Sequence, residues 1–351
     1  MDTSNRLSRK CIASTLAPRQ PATPGAPALA TQDVADWYDG GARIAYDPAL
    51  HTLGETAAPW RVFVRHEGPT EHAVTFLPGF PDGSSCWAKV RPHLPAANEM
   101  PKLFVEYLGM GDSDTPDASY RYSTAERTDL VEALWRHLGV QSTTVVAFDF
   151  SSLVILEHLR RRLDRARAGQ PQGGPLLRGV LIFNGGLYTD GHSHPWWTTP
   201  LLSQPGGWMG PALAAVSMRL FMLMGGAMWS PRFGGRLEAG RRVRASLQRR
   251  GGMRYLDRAA GFVAEHRAQG ERLDFGALYD AWHLQVPFLV GGSDEDVFEP
   301  RQVDLAERRL GARGLQVERL PGGHMTTDEQ PAALGALIAR FEHEQERRDG
   351  A

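Results

Sequence analysis

The sequence predicts an α/β domain: a mostly parallel, twisted sheet covered by helices on both faces, interrupted by a helical insertion. Three observations lead there. Short apolar runs alternate with amphipathic helical stretches from about residue 60 onward, the rhythm of parallel βαβ units. The rhythm stops over residues 185–283, which contain five of the nine tryptophans and no clear strand pattern. It resumes at 286 and runs to a long final helix. A chain of 351 residues with 42% apolar content can bury one such domain plus an insertion.

"WRVFVRHEG" (60–68) alternates as a half-exposed strand, and "HAVTFLPGFP" (72–81) is an apolar run ending in a Pro-Gly turn. "SSCWAKVRPHL" (84–94) reads as a helix with Ser84 or Ser85 at its start, and "PKLFVEYLGMG" (101–111) as another strand. "STAERTDLVEALWRHLGV" (123–140) is an amphipathic helix, opened by a Ser/Thr cap and closed by Gly139. "STTVVAFDF" (142–150) is a buried strand, "SSLVILEHLRRRLDRARAG" (151–169) a helix and "LLRGVLIFNGG" (176–186) a strand. After the insertion come the strands "VPFLVGG" (286–292) and "LQVERLPGG" (315–323), then the helix "PAALGALIARFEHEQERRD" (331–349). The domain limits that follow are a disordered tail over 1–32, a first core segment over 33–184, a helical cap over 185–283 and a second core segment over 284–351.

Composition narrows the function classes. The formal net charge of −1 favours neither nucleic acid nor an acidic membrane. Cys11 and Cys86 are the only cysteines, so a disulfide framework or cysteine-rich metal site is excluded. No apolar run reaches the roughly 20 residues a membrane span needs; the nearest, 213–229, is interrupted by Arg219. The tail shows no secretory h-region. A cytoplasmic protein acting on a small apolar molecule, with no cofactor, is the expectation. His192 and His194 in "GHSHPWW" lack a third ligand at a metal-binding spacing, so no metal is expected.

The chemistry concentrates at "VVAFDFSSL" (145–153). A nucleophile on a sharp strand-to-helix bend requires small residues two places to either side. Asp149 has Ala147 and Ser151 there. Ser151 has Asp149 and Leu153, and Ser152 has Phe150 and Val154, so the spacing selects the aspartate. The plain alternative is that Asp149 caps the following helix. Three other segments argue for chemistry. "LPGFPDG" (77–83) ends a strand in a glycine turn that can aim the Phe80 amide at a developing oxyanion, with the Phe150 amide as second donor. "PGGHMTTDEQP" (321–331) places His324 after the last strand, as a general base. "VPFLVGGSDEDVFEP" (286–300) supplies an acid to orient it: Asp296, four residues before Pro300, is favoured over Asp294.

Read together, these segments resemble the α/β-hydrolase fold superfamily over about residues 60–345, in the epoxide hydrolase and haloalkane dehalogenase branch. "LPGFP", "EYLGMGDSDTP" and "AFDFSS" carry the likeness, and "FNGGLYTDGHSHP" (183–195) is similar to the mesoderm-specific transcript group. The resemblance implies a chemistry. Asp149 forms an alkyl-enzyme ester, His324 with Asp296 activates the hydrolytic water, and Phe80 and Phe150 hold the oxyanion. Epoxide opening is expected ahead of halide displacement, because Phe150 stands where dehalogenases carry a halide-holding tryptophan. That branch also takes its acid from cap tyrosines, for which Tyr188, Tyr255 and Tyr279 are available, and Trp196 or Trp197 could line the pocket. Pro78, Phe148 and Phe150 depart from the family pattern. They leave open another hydrolase activity, or a degenerate scaffold that only binds a ligand.

Overall fold

The computed structural model describes residues 32–48, 59–117, 119–191, 222, 225–298 and 301–349. Eight strands form one sheet: β1 (Ala42–Tyr46), β2 (Trp60–Glu67), β3 (Val74–Leu77), β4 (Lys102–Val105), β5 (Ser142–Phe148), β6 (Leu176–Phe183), β7 (Phe288–Ser293) and β8 (Gln316–Leu320). Their spatial order is β1-β2-β4-β3-β5-β6-β7-β8. β1 pairs antiparallel with β2, and β2 antiparallel with β4; every other pairing is parallel. This is the mostly parallel sheet that the sequence rhythm predicts.

The helices are α1 (Gln32–Asp39), α2 (Thr124–His137), α3 (Ser151–Arg167), α4 (Arg236–Gln248), α5 (Leu256–Ala259), α6 (Phe262–Gln269), α7 (Phe275–Trp282), α8 (Gln302–Leu310), α9 (Thr326–Glu329) and α10 (Pro331–Asp349). The α2 start is N-capped: the Ser123 side chain accepts from the Glu126 amide. Between β6 and β7 the described residues are helical, without a strand. Within that stretch α7 sits against the sheet layer: the Trp282 indole donates to the Leu159 carbonyl of α3, and Phe275 meets Phe288 of β7 edge-on.

β5 shows why its sequence reads as an unbroken apolar run. Val145 and Ala147 join the core under α2 and α3. Val146 and Phe148 join the core on the opposite face, with Phe76, Phe104 and Phe341 of α10. A strand buried on both faces has no reason to alternate with polar residues.

Two expectations are corrected. Residues 84–94 do not form an α-helix; they make two short 3₁₀ turns, Gly83–Trp87 and Arg91–His93. Pro92 removes an amide donor that a continuous helix would need. Order also begins earlier than residue 60, with α1 and the edge strand β1.

The order reverses around β3: the chain passes from β3 to β4 on one side and returns to β5 on the other. The carboxyl ends of β3 and β5 thus open at a topological switch point, where α/β sheets bind ligands. Glu106, just after β4, braces this end. It is fully buried and accepts from the amides of Ser84 and Asp112 and from the Tyr38 hydroxyl. Burial pushes its carboxyl up to about 8, against the pull of those donors. Gly111 has a φ of 47°, and a Cβ there would lie 2.1 Å from the Glu106 carboxylate. Only glycine fits that approach.

The α4 helix is tied to the sheet end by Arg242, which is 2% exposed and pairs with Asp328 of α9 and Asp33 of α1. Buried Asp82 lies in the same charge group. Burial pushes it up to about 7, opposed by Arg242. Replacing Arg242 by methionine removes the buried cation of this group, leaving Asp328 only the partly exposed Lys89 as a partner. We expect a loss of about 3–5 kcal/mol in urea unfolding; a loss under 1 kcal/mol would show that the charge group contributes little.

Candidate active site

At the end of β5 the backbone turns sharply. Asp149 has a φ of 54°, a left-handed conformation that costs a non-glycine residue about 1–3 kcal/mol. Two backbone bonds hold it: its amide donates to Phe183 O at 3.0 Å, and its carbonyl accepts from the Ser152 amide at 3.0 Å. The bend is crowded. A Cβ on Gly79 would meet the Phe148 ring at 2.5 Å, and one on Gly185 would meet Ser152 Cβ at 2.6 Å.

The Asp149 carboxylate does not cap the helix. Phe150 occupies the α3 N-cap, with no side-chain cap bond. Instead Asp149 Oδ2 accepts the Phe80 amide at 2.8 Å, and Oδ1 lies 3.3 Å from His324 Nε2. The Phe150 amide stands at the first turn of α3, where no intrahelical acceptor serves it. Neither serine takes the place of Asp149. The Ser151 hydroxyl meets Tyr107 and the Pro78 carbonyl, and the Ser152 hydroxyl is buried without a partner.

His324 follows β8 and is 1% exposed. Its Nδ1 lies 2.9 and 3.0 Å from the two oxygens of Asp296, which the Phe298 amide also engages. Asp294 is turned away: it accepts from the Gly322 amide and pairs with Arg232 at the surface. Burial disfavours charge on the imidazole, but the carboxylates of Asp296 and Asp149 outweigh burial and hold its pKa well above the ordinary histidine value. The ring thus lies between two carboxylates, Asp296 at Nδ1 and Asp149 at Nε2. Phe148 lies nearly parallel to its ring at 5.7 Å, and Phe298 meets it edge-on at 4.9 Å.

One supporting residue was not singled out from the sequence. Asn184 follows β6 with a φ of 49°. Its amide nitrogen donates to the His324 carbonyl at 2.7 Å and to the hydroxyls of Ser293 and Thr326, and its oxygen accepts the Ser293 amide. It ties the ends of β6 and β7 to the histidine loop. The available signal was a polar residue directly after a buried apolar strand, the same signal that marks Asp149.

The rings of Phe80, Phe150 and Phe262 form an apolar wall, with centroids 4.9 to 6.2 Å apart. Other expected pocket residues lie elsewhere or are not described. Tyr188 packs against Phe275 and beneath Arg309, and the Tyr279 hydroxyl donates to the Arg313 carbonyl. Trp196, Trp197, His192 and His194 lie outside the described residues, as does the side chain of Tyr255. The described residues hold no group of three or more His, Cys, Asp or Glu able to bind a metal. No helix among them is long and apolar enough to cross a membrane.

The sheet order and the bend after β5 define an α/β-hydrolase fold. A family model described as "Alpha/beta hydrolase family" matches residues 76–337, and the chain belongs to that family. The mesoderm-specific transcript homolog protein of Bos taurus is 32% identical over 167 residues, 46% of this chain and 45% of that protein. A haloalkane dehalogenase of Sphingobium indicum is 32% identical over 101 residues, 28% of this chain and 33% of the enzyme. The chain thus spans less than half the length of these relatives. Among solved structures, the haloalkane dehalogenase DatA from Agrobacterium tumefaciens C58 superposes with a TM-score of 0.62 at 17% identity, covering 88% of this chain and 98% of DatA. The epoxide hydrolase CorEH gives 0.56 at 19% identity, covering 80% and 94%. At these identities the structural likeness concerns the fold.

The electrostatics make a specific expectation. Asp149→Asn removes one of the two carboxylates flanking His324, so the imidazole pKa falls. Ring-proton NMR titration of His324 measures it; an unchanged pKa would mean that Asp149 does not charge the imidazole.

Proposed function

We propose that this protein is a hydrolase that opens small apolar electrophiles at a saturated carbon through an ester on Asp149. The observation that carries the reading is the pair of contacts on one carboxylate: Phe80 N on Oδ2 and His324 Nε2 facing Oδ1.

The two oxygens thereby have separate roles. Oδ1 is free of backbone donors and attacks carbon; the leaving group departs with the electrons of the broken bond. Oδ2 becomes the ester carbonyl oxygen, already seated on the Phe80 amide, with the Phe150 amide as second donor. Ester formation also removes the charge of Asp149. One of the two interactions that raise the His324 pKa is then lost; any proton on Nε2 passes to solvent, and the neutral imidazole acts as a base. Nε2 takes a proton from water, and the hydroxide attacks the ester carbonyl carbon. The tetrahedral intermediate collapses, the alcohol leaves with a proton from His324, and Asp149 is restored. Asp296 holds the ring by Nδ1 throughout and stabilises its charged form.

Family membership and the dehalogenase and epoxide hydrolase likenesses support this reading, and the Phe80–Phe150–Phe262 wall suits an apolar substrate. The preference for epoxides expected from the sequence gains no support from the described tyrosines. An epoxide oxygen needs a proton donor; the Tyr279 hydroxyl is engaged by the Arg313 carbonyl, and Tyr188, whose buried hydroxyl has no hydrogen-bond partner, packs against Phe275.

Two variants and one isotope test the scheme. Asp149→Asn should lower turnover about 10³-fold or more. His324→Gln should stop at the ester, seen as a mass increase on the peptide carrying Asp149. In heavy-oxygen water, turnover of alkyl halides or epoxides should place label in the Asp149 carboxylate. Undiminished multiple turnover by the His324 variant, or turnover without labelling of Asp149, contradicts the ester route.

A further inference from the structure

Arg127, in the first turn of α2, is fully buried, yet its charge is unmatched. Its Nη2 donates to the Ala259 carbonyl of α5 at 2.7 Å, while Nε and Nη1 have no hydrogen-bond partner. No ion pair joins it to a carboxylate of the described residues. Arg242 shows the contrast: buried to a similar degree, it is paired with Asp328 and Asp33. A buried guanidinium without an anion is a costly arrangement.

Its position gives the reason. The guanidinium carbon lies 4.8 Å from the centroid of the Phe150 ring, and Phe150 directly follows Asp149. The same ring belongs to the apolar wall with Phe80 and Phe262. The Tyr107 hydroxyl is engaged with Ser151, and the Phe80 amide with Asp149.

We infer that Arg127 is an anion-holding group of this site, taking a small monovalent anion on its free Nε and Nη1. The inference rests on the aspartyl-ester reading for the source of the anion, but not for its binding. Two sources share the chemistry: a halide expelled when Asp149 attacks carbon, or a carboxylate carried by the substrate. In the first case the carbon–halogen bond breaks as the carbon–Oδ1 bond forms, and the halide keeps the electron pair. An epoxide oxygen, in contrast, must be protonated, and a guanidinium does not serve as its acid.

The test starts with the full-length native protein and no substrate. Sodium bromide or acetate, at ionic strength held with sulfate, should raise the thermal midpoint saturably. Arg127→Gln should abolish the rise and Arg127→Lys should keep part of it. Absence of saturable binding to the native protein, or equal binding by the Gln variant, overturns the inference. If the Gln variant does not fold, the native titration and the Lys variant still decide.

Kinetics then separate the sources. A tenfold or greater fall in kcat on neutral alkyl bromides in Arg127→Gln identifies a leaving halide. A similar rise in KM confined to carboxylate-bearing bromides identifies a substrate carboxylate. Unchanged constants on both overturn a role for Arg127 in the reaction. Failure of the ester reading is seen separately, as unlabelled Asp149 in heavy-oxygen water.

Discussion

A carboxylate at the end of a strand buried on both faces must be compensated, and here the compensation is the Phe80 amide on one oxygen and His324 facing the other. His324 stands between Asp149 and Asp296, so two acids share one imidazole. Much of the surrounding architecture holds that arrangement in place. The switch point between β3 and β5 brings the Phe80 amide to Asp149. Asn184 holds the histidine loop by its carbonyl, and Phe148 and Phe298 exclude water from two sides of the ring.

The strain at Asp149 belongs to the same design. A left-handed aspartate lifts its carboxylate out of the plane of the strand and toward the crevice. Backbone bonds to Phe183 and Ser152 hold the bend from below, and the absence of side chains at Gly79 and Gly185 lets the neighbouring chain approach. Asn184 repeats the conformation one strand away, so two adjacent parallel strands end in non-glycine left-handed residues that both serve the histidine.

How much of this was legible depended on range. Strand and helix placement in the sheet layer followed from periodicity, because β5 and its neighbours carry long apolar runs of the right length. The edge strand β1 did not, since five residues in "ARIAY" alternate too briefly to register. The 84–94 segment misled because its composition suits a helix while Gly83 and Pro92 impose turns. Asp149 could be singled out by steric logic alone, as small neighbours are a local property. The spacing to Pro300 favoured Asp296 over Asp294 without deciding between them, because the choice turns on which side chain meets the histidine loop. Arg127 was invisible for the same reason: on a helix face an arginine reads as solvated, and only its burial against Phe150 reveals otherwise.

The histidine loop is also sewn to the segment that precedes α4. The Met325 amide donates to Met228 O, Glu329 accepts from the amides of Ser230 and Gly323, and the Trp229 indole donates to Asp328. A Cβ on Gly323 would touch Met228 O at 2.7 Å, so the two backbones are in direct contact. For protein engineering this makes residues 225–248 and 321–331 one exchangeable part. A chimera that imports residues 225–248 from a relative, but keeps the native histidine loop, would break this seam and displace the imidazole along with it.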